Sequence, residues 1–301
     1  MRLVILSRQS SLYSTQALAQ AAERRGHHVR VMDTLQFDIR VSRQGPELFY
    51  QGEQVRDVDA VIPRIGASIT FYGLAVVRQF EIMGVYCVNE SQAIARSRDK
   101  LRCLQILSRH DIGLPPTVFT RQAEHINDCI ERVQGPPVVV KLLEGTQGIG
   151  VVLAETARAA SSVIEAFHGL DQNILIQKFI KEAEGSDIRA IVVGRRVVAA
   201  MRRQAVAGEF RSNIHRGGTA KKIAITPELR KTALAATRVL GLRVAGVDMI
   251  ESAEGPMIME VNSSPGLEGV QKTTGVDVAA AVIEHIEREL APASRRQSKS
   301  E

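Results

Sequence analysis

Residues 257–266, Met257-Ile-Met-Glu-Val-Asn-Ser-Ser-Pro-Gly266, decide the reading of this chain. Side chains alternate along a β-strand, so Glu260 and Asn262 project from one face while Met259 and Val261 turn to the other. The apolar run Ala245–Ile250 carries Asp248 between Val247 and Met249; as a hairpin partner it brings a second carboxylate beside the first. Two carboxylates and an amide, without sulfur or imidazole, suit a hard cation such as magnesium, which keeps waters and binds through nucleotide phosphates. A solvent-facing strand edge would hold the same polar residues, but the core-like alternation of their neighbours argues against it.

Upstream, Val138-Val-Val-Lys-Leu-Leu-Glu-Gly-Thr-Gln-Gly-Ile-Gly150 ends a buried strand on Lys141 and continues through Gly145, Gly148 and Gly150. A cation followed by a loop of free backbone amides can close over phosphates. The P-loop is excluded, because there the lysine follows the glycines and opens a helix. Taken alone, such a segment is more often just a turn. A third segment, Phe210-Arg-Ser-Asn-Ile-His-Arg-Gly-Gly218, follows closely on Arg202 and Arg203. Its guanidiniums and short polar side chains fit phosphate and the negative charge of an acyl-transfer intermediate, or else a basic surface loop. His215 has neither a nucleophile nor a second histidine at metal spacing, and is read as structural or as a hydrogen-bond donor.

The whole chain bounds these signals. Its 301 residues predict two or three packed subdomains. Hydrophobic residues make up 45% and charged residues 24%, which excludes disordered and fibrous classes. Aromatics are 4% with no Trp, a poor supply of stacking platforms for single-stranded nucleic acid, and no direct nucleic-acid site is expected. A net charge of +6 favours anionic partners. Cys87, Cys103 and Cys129 are too widely spaced for a disulfide framework or a thiolate metal site, and no secretory leader or membrane-length apolar run is seen. A soluble protein of the reducing cytoplasm is expected.

Alternating elements predict an α/β (α+β) fold. Strands at Leu3–Leu6, His28–Met32 and Ala60–Pro63, with helices at Tyr13–Arg25 and Ile69–Met83, make an N-terminal α/β domain over 1–98. The first turn, Ser7-Arg8-Gln9-Ser10-Ser11, lacks the glycines of a dinucleotide site, so Asp33 is no ribose ligand of a nicotinamide cofactor. A central lid over 99–176 opens on a helix to His110, holds the strands Val138–Lys141 and Val151–Ala154 around the glycine loop, and ends on a helix from Thr156 to Phe167. A strand-rich C-terminal part over 177–290 closes with one helix, Val276–Leu290, and residues 291–301 are expected to fray.

In order, Lys100, Lys141 with its glycine loop, Asp187, Arg211–Asn213, Asp248 and Glu260-x-Asn262 resemble the ATP-grasp ligases. Ile62-Pro-Arg-Ile-Gly66, Ala95-Arg-Ser-Arg-Asp-Lys100 and Asn262-Ser-Ser-Pro-Gly-Leu-Glu-Gly269 sharpen the resemblance to the RimK branch, which adds glutamate to the small-subunit ribosomal protein numbered six. It runs from Met1 to about Leu290. The resemblance implies ATP held between lid and C-terminal domain. Lys100, Lys141 and the loop at Gly148 would meet phosphates, the backbone of Lys178 and Phe179 the adenine edge, and Asp187 the sugar side. Arg211, Ser212 and Asn213 would complete the nucleotide site, while Asp248, Glu260 and Asn262 would hold two magnesium or manganese ions with Glu260 bridging. Lys178 stands where such ligases more usually carry an acidic residue. Arg203 is assigned to the oxyanion of amide formation. The implied partners are L-glutamate and the ribosomal protein, the implied state a homo-oligomer. A small-molecule amino-acid or peptide ligase, and a nucleotide-binding regulator without ligation, are the alternatives; retention of Asp248, Glu260, Asn262 and the arginines favours an active ligase.

Overall fold

Leu3, Val4, Ile5 and Leu6 are all at most 1% exposed, as expected of a parallel strand covered on both faces. A computed structural model describes residues 1–121, 125–142, 150–168, 173–206, 208–212 and 217–291. The N-terminal unit runs β1 (Arg2–Leu6), α1 (Tyr13–Arg24), β2 (His28–Met32), β3 (Phe37–Ser42), β4 (Gly45–Tyr50), β5 (Glu53–Gln54), β6 (Ala60–Pro63), α2 (Thr70–Ile82), β7 (Tyr86–Cys87) and α3 (Ser91–Arg98). Its main sheet is parallel in the order β2-β1-β6-β7. Leu3 and Ile5 point into one core, Val4 and Leu6 into another. The antiparallel sheet β3-β4-β5 and the short helix α3 were not among the expected elements. Asp33 is occupied by Arg8 at 3.1 Å and by the Leu35 N–H at 3.0 Å.

The chain continues through α4 (Lys100–Arg109) into β8 (Thr117–Thr120), α5 (Ile126–Arg132), β9 (Val138–Leu142), β10 (Val151–Ala154), α6 (Ala157–His168) and β11 (Ile174–Lys178). The four strands form one antiparallel sheet, β10-β9-β11-β8, with α5 and α6 sealing a small core of their own. Cys103 and Leu107 of α4 pack instead with the C-terminal sheet.

That sheet comprises β12 (Ser186–Val193), β13 (Arg196–Gln204), β14 (Thr219–Lys222), β15 (Val244–Ser252) and β16 (Gly255–Asn262), in the order β14-β13-β12-β15-β16. Between β14 and β15 lies α7 (Pro227–Leu240), started by Pro227 behind the Thr226 cap and stopped by Gly241 at φ +82°. The final helix is preceded by a separate short one, giving α8 (Glu268–Thr274) and α9 (Val278–Leu290). Ile188, Ala190 and Val192 face α7, while Ile191 and Val193 join Leu3 and Ile5 in a core shared with α1 and α9. Asp187, Arg189 and Arg203 lie on this second face, beyond the end of the shared core. Among the described residues no helix is long and apolar enough to cross a membrane, and the three cysteines are buried and unpaired.

Gly113, at the entry to the central sheet, lies against the β15–β16 hairpin: its carbonyl accepts the Ile258 N–H at 2.8 Å, and a Cβ there would stand 2.4 Å from the Pro256 carbonyl oxygen. Because that neighbour is backbone, Gly113→Ala is expected to cost about 1–3 kcal/mol. A lower urea midpoint at unchanged slope checks this; an unchanged midpoint refutes it.

Candidate active site

Asp248 and Glu260 are direct cross-strand partners, and Gly246 pairs with Asn262. The register shifts just after Asp248, where Met249 pairs with Ile258, so Met259 is the extra residue of a β-bulge. The expected alternation therefore holds only in part. Ile258 and Val261, three positions apart, both reach the α7 core, whereas Met259 is displaced to a smaller cluster with Ile250 and Met257. Glu260 is exposed on the edge strand β16, opposite Asp248, which is buried on the inner strand β15.

Asp248 sits at the centre of four charges. Arg189, paired with it across β12 and β15, donates Nε to Oδ1 at 2.7 Å and Nη2 to Oδ2 at 2.5 Å. Arg203 reaches the same Oδ2 at 3.0 Å and clasps Asp187, its own cross-strand partner, with Nε at 2.6 Å and with Nη2. Two guanidiniums and two carboxylates balance, which is how buried charge is tolerated. Burial pushes Asp248 up, but Arg189 and Arg203 outweigh it and hold the carboxyl well below the usual range. Burial raises Asp187, opposed by Arg203 and by a hydrogen bond from Ser212 and reinforced by Asp248.

Glu260 differs. Among the described residues it accepts no hydrogen bond and makes no ion pair, yet Arg98, Lys100 and Lys141 all feel its charge. Asn262 accepts the Ser264 N–H on Oδ1 at 2.9 Å, which leaves that carbonyl a second lone pair. The set is hard oxygen throughout, the donor type a divalent cation takes; Asp248 is engaged by Arg189 and Arg203, and Glu260 is the carboxylate without a competing partner. Lys100 opens α4 behind the Asp99 cap, and burial lowers its pKa. Lys141, half-buried, donates to Gln177 Oε1 at 2.6 Å; burial, reinforced by Lys100 and opposed by Glu260, pushes its ammonium down to about 8.

At the hinge both backbone amides are already engaged. Lys178 N–H donates to Pro116 O at 2.9 Å and Phe179 N–H to Pro137 O at 3.1 Å, so both donors serve the sheet and only the carbonyls face other duties. The Lys178 ammonium turns to the Gln134 and Gly135 carbonyls at 2.9 and 3.2 Å, since a donor-only group seeks acceptors. Phe179 meets Phe210 edge-to-face at 6.3 Å between centroids, which sets the Arg211–Ser212 segment beside the hinge. Arg211 is held by Glu209 through Nε at 2.9 Å and Nη2 at 2.7 Å. Gly148, Asn213 and His215 lie outside the described residues.

Residues 97–286 match the RimK-like ATP-grasp domain and residues 1–94 the RimK PreATP-grasp domain. The chain belongs to the RimK-type ATP-grasp family. Relatives include a "Probable alpha-L-glutamate ligase" of Vibrio atlanticus, 60% identical with 98% of each chain covered, and one of Pseudomonas entomophila, 59% identical with the same coverage. The fold is shared with the ATP-grasp ligase PsnB (TM-score 0.74, 20% identity, 95% of this chain and 97% of that one) and with a RimK domain protein from Sphaerobacter thermophilus (TM-score 0.69, 24% identity, 95% and 99%). As a RimK-type ATP-grasp protein it is an ATP-dependent ligase.

Two residues of this RimK-type site escaped the sequence reading. Arg189 lies two positions after Asp187 on one strand and so on the same face, a spacing that would have disclosed it. Gln177 links Lys141 to the Thr117 hydroxyl at 2.9 Å, a contact across three strands that no local pattern signals. The unequal roles of the two carboxylates are testable in the ligand-free protein. Asp248→Asn leaves Arg189 without a carboxylate and Arg203 with Asp187 alone, and is expected to cost about 3–5 kcal/mol, whereas Glu260→Gln, at an exposed position, should leave the unfolding midpoint nearly unchanged. Equal effects would contradict the charge balance.

Proposed function

We propose that this protein uses ATP to join L-glutamate to the C-terminal carboxylate of a polypeptide, the small-subunit ribosomal protein numbered six or a growing poly-α-glutamate chain, in the cytoplasm. The observation that carries this reading is Glu260: an exposed carboxylate without a hydrogen bond, opposite Asp248 and facing Arg98, Lys100 and Lys141. Full-length relatives named for α-L-glutamate ligation support the choice of amino acid.

In this reading Lys100, Lys141 and the loop at Gly148 hold phosphates, the carbonyls at Lys178 and Phe179 lie along the adenine edge, and Asp187 with Arg211, Ser212 and Asn213 lines the sugar side. Asp248, Glu260 and Asn262 hold magnesium or manganese, which when bound spreads the charge of the transferring phosphoryl group. The acceptor carboxylate attacks the γ-phosphorus, and ADP leaves. The glutamate amine then adds to the acylphosphate carbonyl, giving up a proton; Arg203, fixed by Asp187 and Asp248, is assigned to the oxyanion. Inorganic phosphate departs and an amide remains, so no enzyme nucleophile is required.

Incubation with ATP, magnesium, L-glutamate and the purified ribosomal protein should raise the acceptor mass by whole glutamyl residues, with ADP and phosphate released in step. Amidating the acceptor's C-terminus should stop the reaction; continued modification, or a gain matching phosphate, sinks the proposal. Glu260→Ala should lower turnover by about 10²–10³ or more, read as ADP release with magnesium saturating. Nucleotide affinity should also carry a proton signature. Phosphate favours the Lys141 ammonium, so binding takes up a proton once the free protein has lost it. Calorimetric ATP affinity should then be level below about pH 8 and fall as pH rises above it. Lys141→Ala should weaken binding and flatten that slope; an unchanged slope removes Lys141 from the phosphate site.

A further inference from the structure

The N-terminal sheet reverses direction between β1 and β6: from β1 the chain proceeds to β2 on one side and returns to β6 on the other. In open parallel sheets, ligands seat beyond the carboxyl ends of the strands at such a reversal. The residue following β6 is Arg64. Its backbone N–H donates to Leu6 O at 2.9 Å, pinning it at the reversal, and its Nη1 donates to Pro265 O at 2.8 Å in the loop that leaves Asn262. Arg64 thus spans from the N-terminal sheet to the strand of Glu260. Arg98, the last residue of α3, donates through Nη2 to the neighbouring Ile65 carbonyl, and its Nε is buried with no hydrogen-bond partner.

Neither guanidinium has a carboxylate within ion-pair distance among the described residues. The contrast with Arg189 and Arg203, each in a two-pronged pair with an aspartate, is complete. Burial and the charge of Arg98 push Arg64 down to about 10, and burial lowers Arg98 against the pull of Glu260. Two adjacent, largely desolvated cations without an anion are costly unless a ligand supplies one.

We infer that Arg64 and Arg98 bind the α-carboxylate of the amino acid whose amine attacks the acylphosphate. This rests on the ligase reading above. The α-carboxylate is chosen because it shares a carbon with the amine, so the group that grips it must stand next to the reacting centre. Arg98 does so, being within electrostatic reach of Glu260, as are Lys100 and Lys141 on the nucleotide side. A γ-carboxylate would sit farther from that edge when the amine is in place.

The test is steady-state ADP release at saturating ATP, magnesium and acceptor protein, with L-glutamate or its α-amide varied. Arg98→Gln is expected to raise the KM for L-glutamate by about 10- to 100-fold, the range for a hydrogen bond to a charged group. The KM for ATP should change less than about twofold. For the wild type, exchanging L-glutamate for its α-amide should cost a similar factor, and for Arg98→Gln that exchange should cost little more. Arg98→Lys keeps the charge, is the gentler change for folding, and should recover part of the loss. A penalty equally large with the α-amide, or one appearing in the acceptor's KM alone, overturns the inference, the second outcome giving the pair to the acceptor's own carboxylate. If the wild type prefers another amino acid, the glutamate reading fails, and the same ratios with that amino acid and its amide decide the role of the arginines. Ligation of no amino acid refutes both.

Discussion

The placement of Asp248 opposite Glu260 is the constraint from which the site follows. One added residue, Met259, lets Ile258 and Val261 both reach the core, while Glu260 is exposed on the edge strand and Asp248 is buried one strand in. Two like groups on neighbouring strands thereby acquire different tasks. One is locked into a neutral array of fixed charges, and the other is left to respond to whatever arrives.

The fixed array has a second effect. Desolvated charges are stable only with good geometry and full pairing, and here the pairing runs across three strands, from Arg203 on β13 through Asp187 and Arg189 on β12 to Asp248 on β15. The floor of the site is thus cross-braced by ion pairs where the shared apolar core ends. Lys141 and Gln177 extend similar bracing into the central sheet, and the Phe179–Phe210 contact joins the hinge to the arginine segment. Within each sheet the binding groups are thus held by polar contacts between strands, and an aromatic pair links the hinge to the arginine segment.

Much of this was legible from residue order. Continuous apolar runs marked the buried strands, and the alternation around Asp248, Glu260 and Asn262 marked two paired strands carrying oxygen donors. What escaped was non-local or lacked punctuation. The alternation Phe37-Asp-Ile-Arg-Val-Ser42 is a strand pattern, but its turn at Arg43-Gln44 lacks a leading glycine or asparagine, and the small sheet went unseen. The bulge depends on how two strands share a core that neither reveals alone. The fate of the hinge amides depends on carbonyls of Pro116 and Pro137, distant in sequence. Arg189, with its informative spacing, was hidden by the apolar residues around it.

The distribution of cores divides the molecule unequally. Leu3 and Ile5 of the first strand share one apolar cluster with Ile191, Met201 and Ile283, so the two ends of the chain form a single cooperative body. The central sheet closes its own cluster from Ile126 to Ile176 and borrows nothing from that body. Cutting the chain near residue 98 would expose apolar surface on both fragments, whereas the central unit can tilt as a rigid flap without breaking any core.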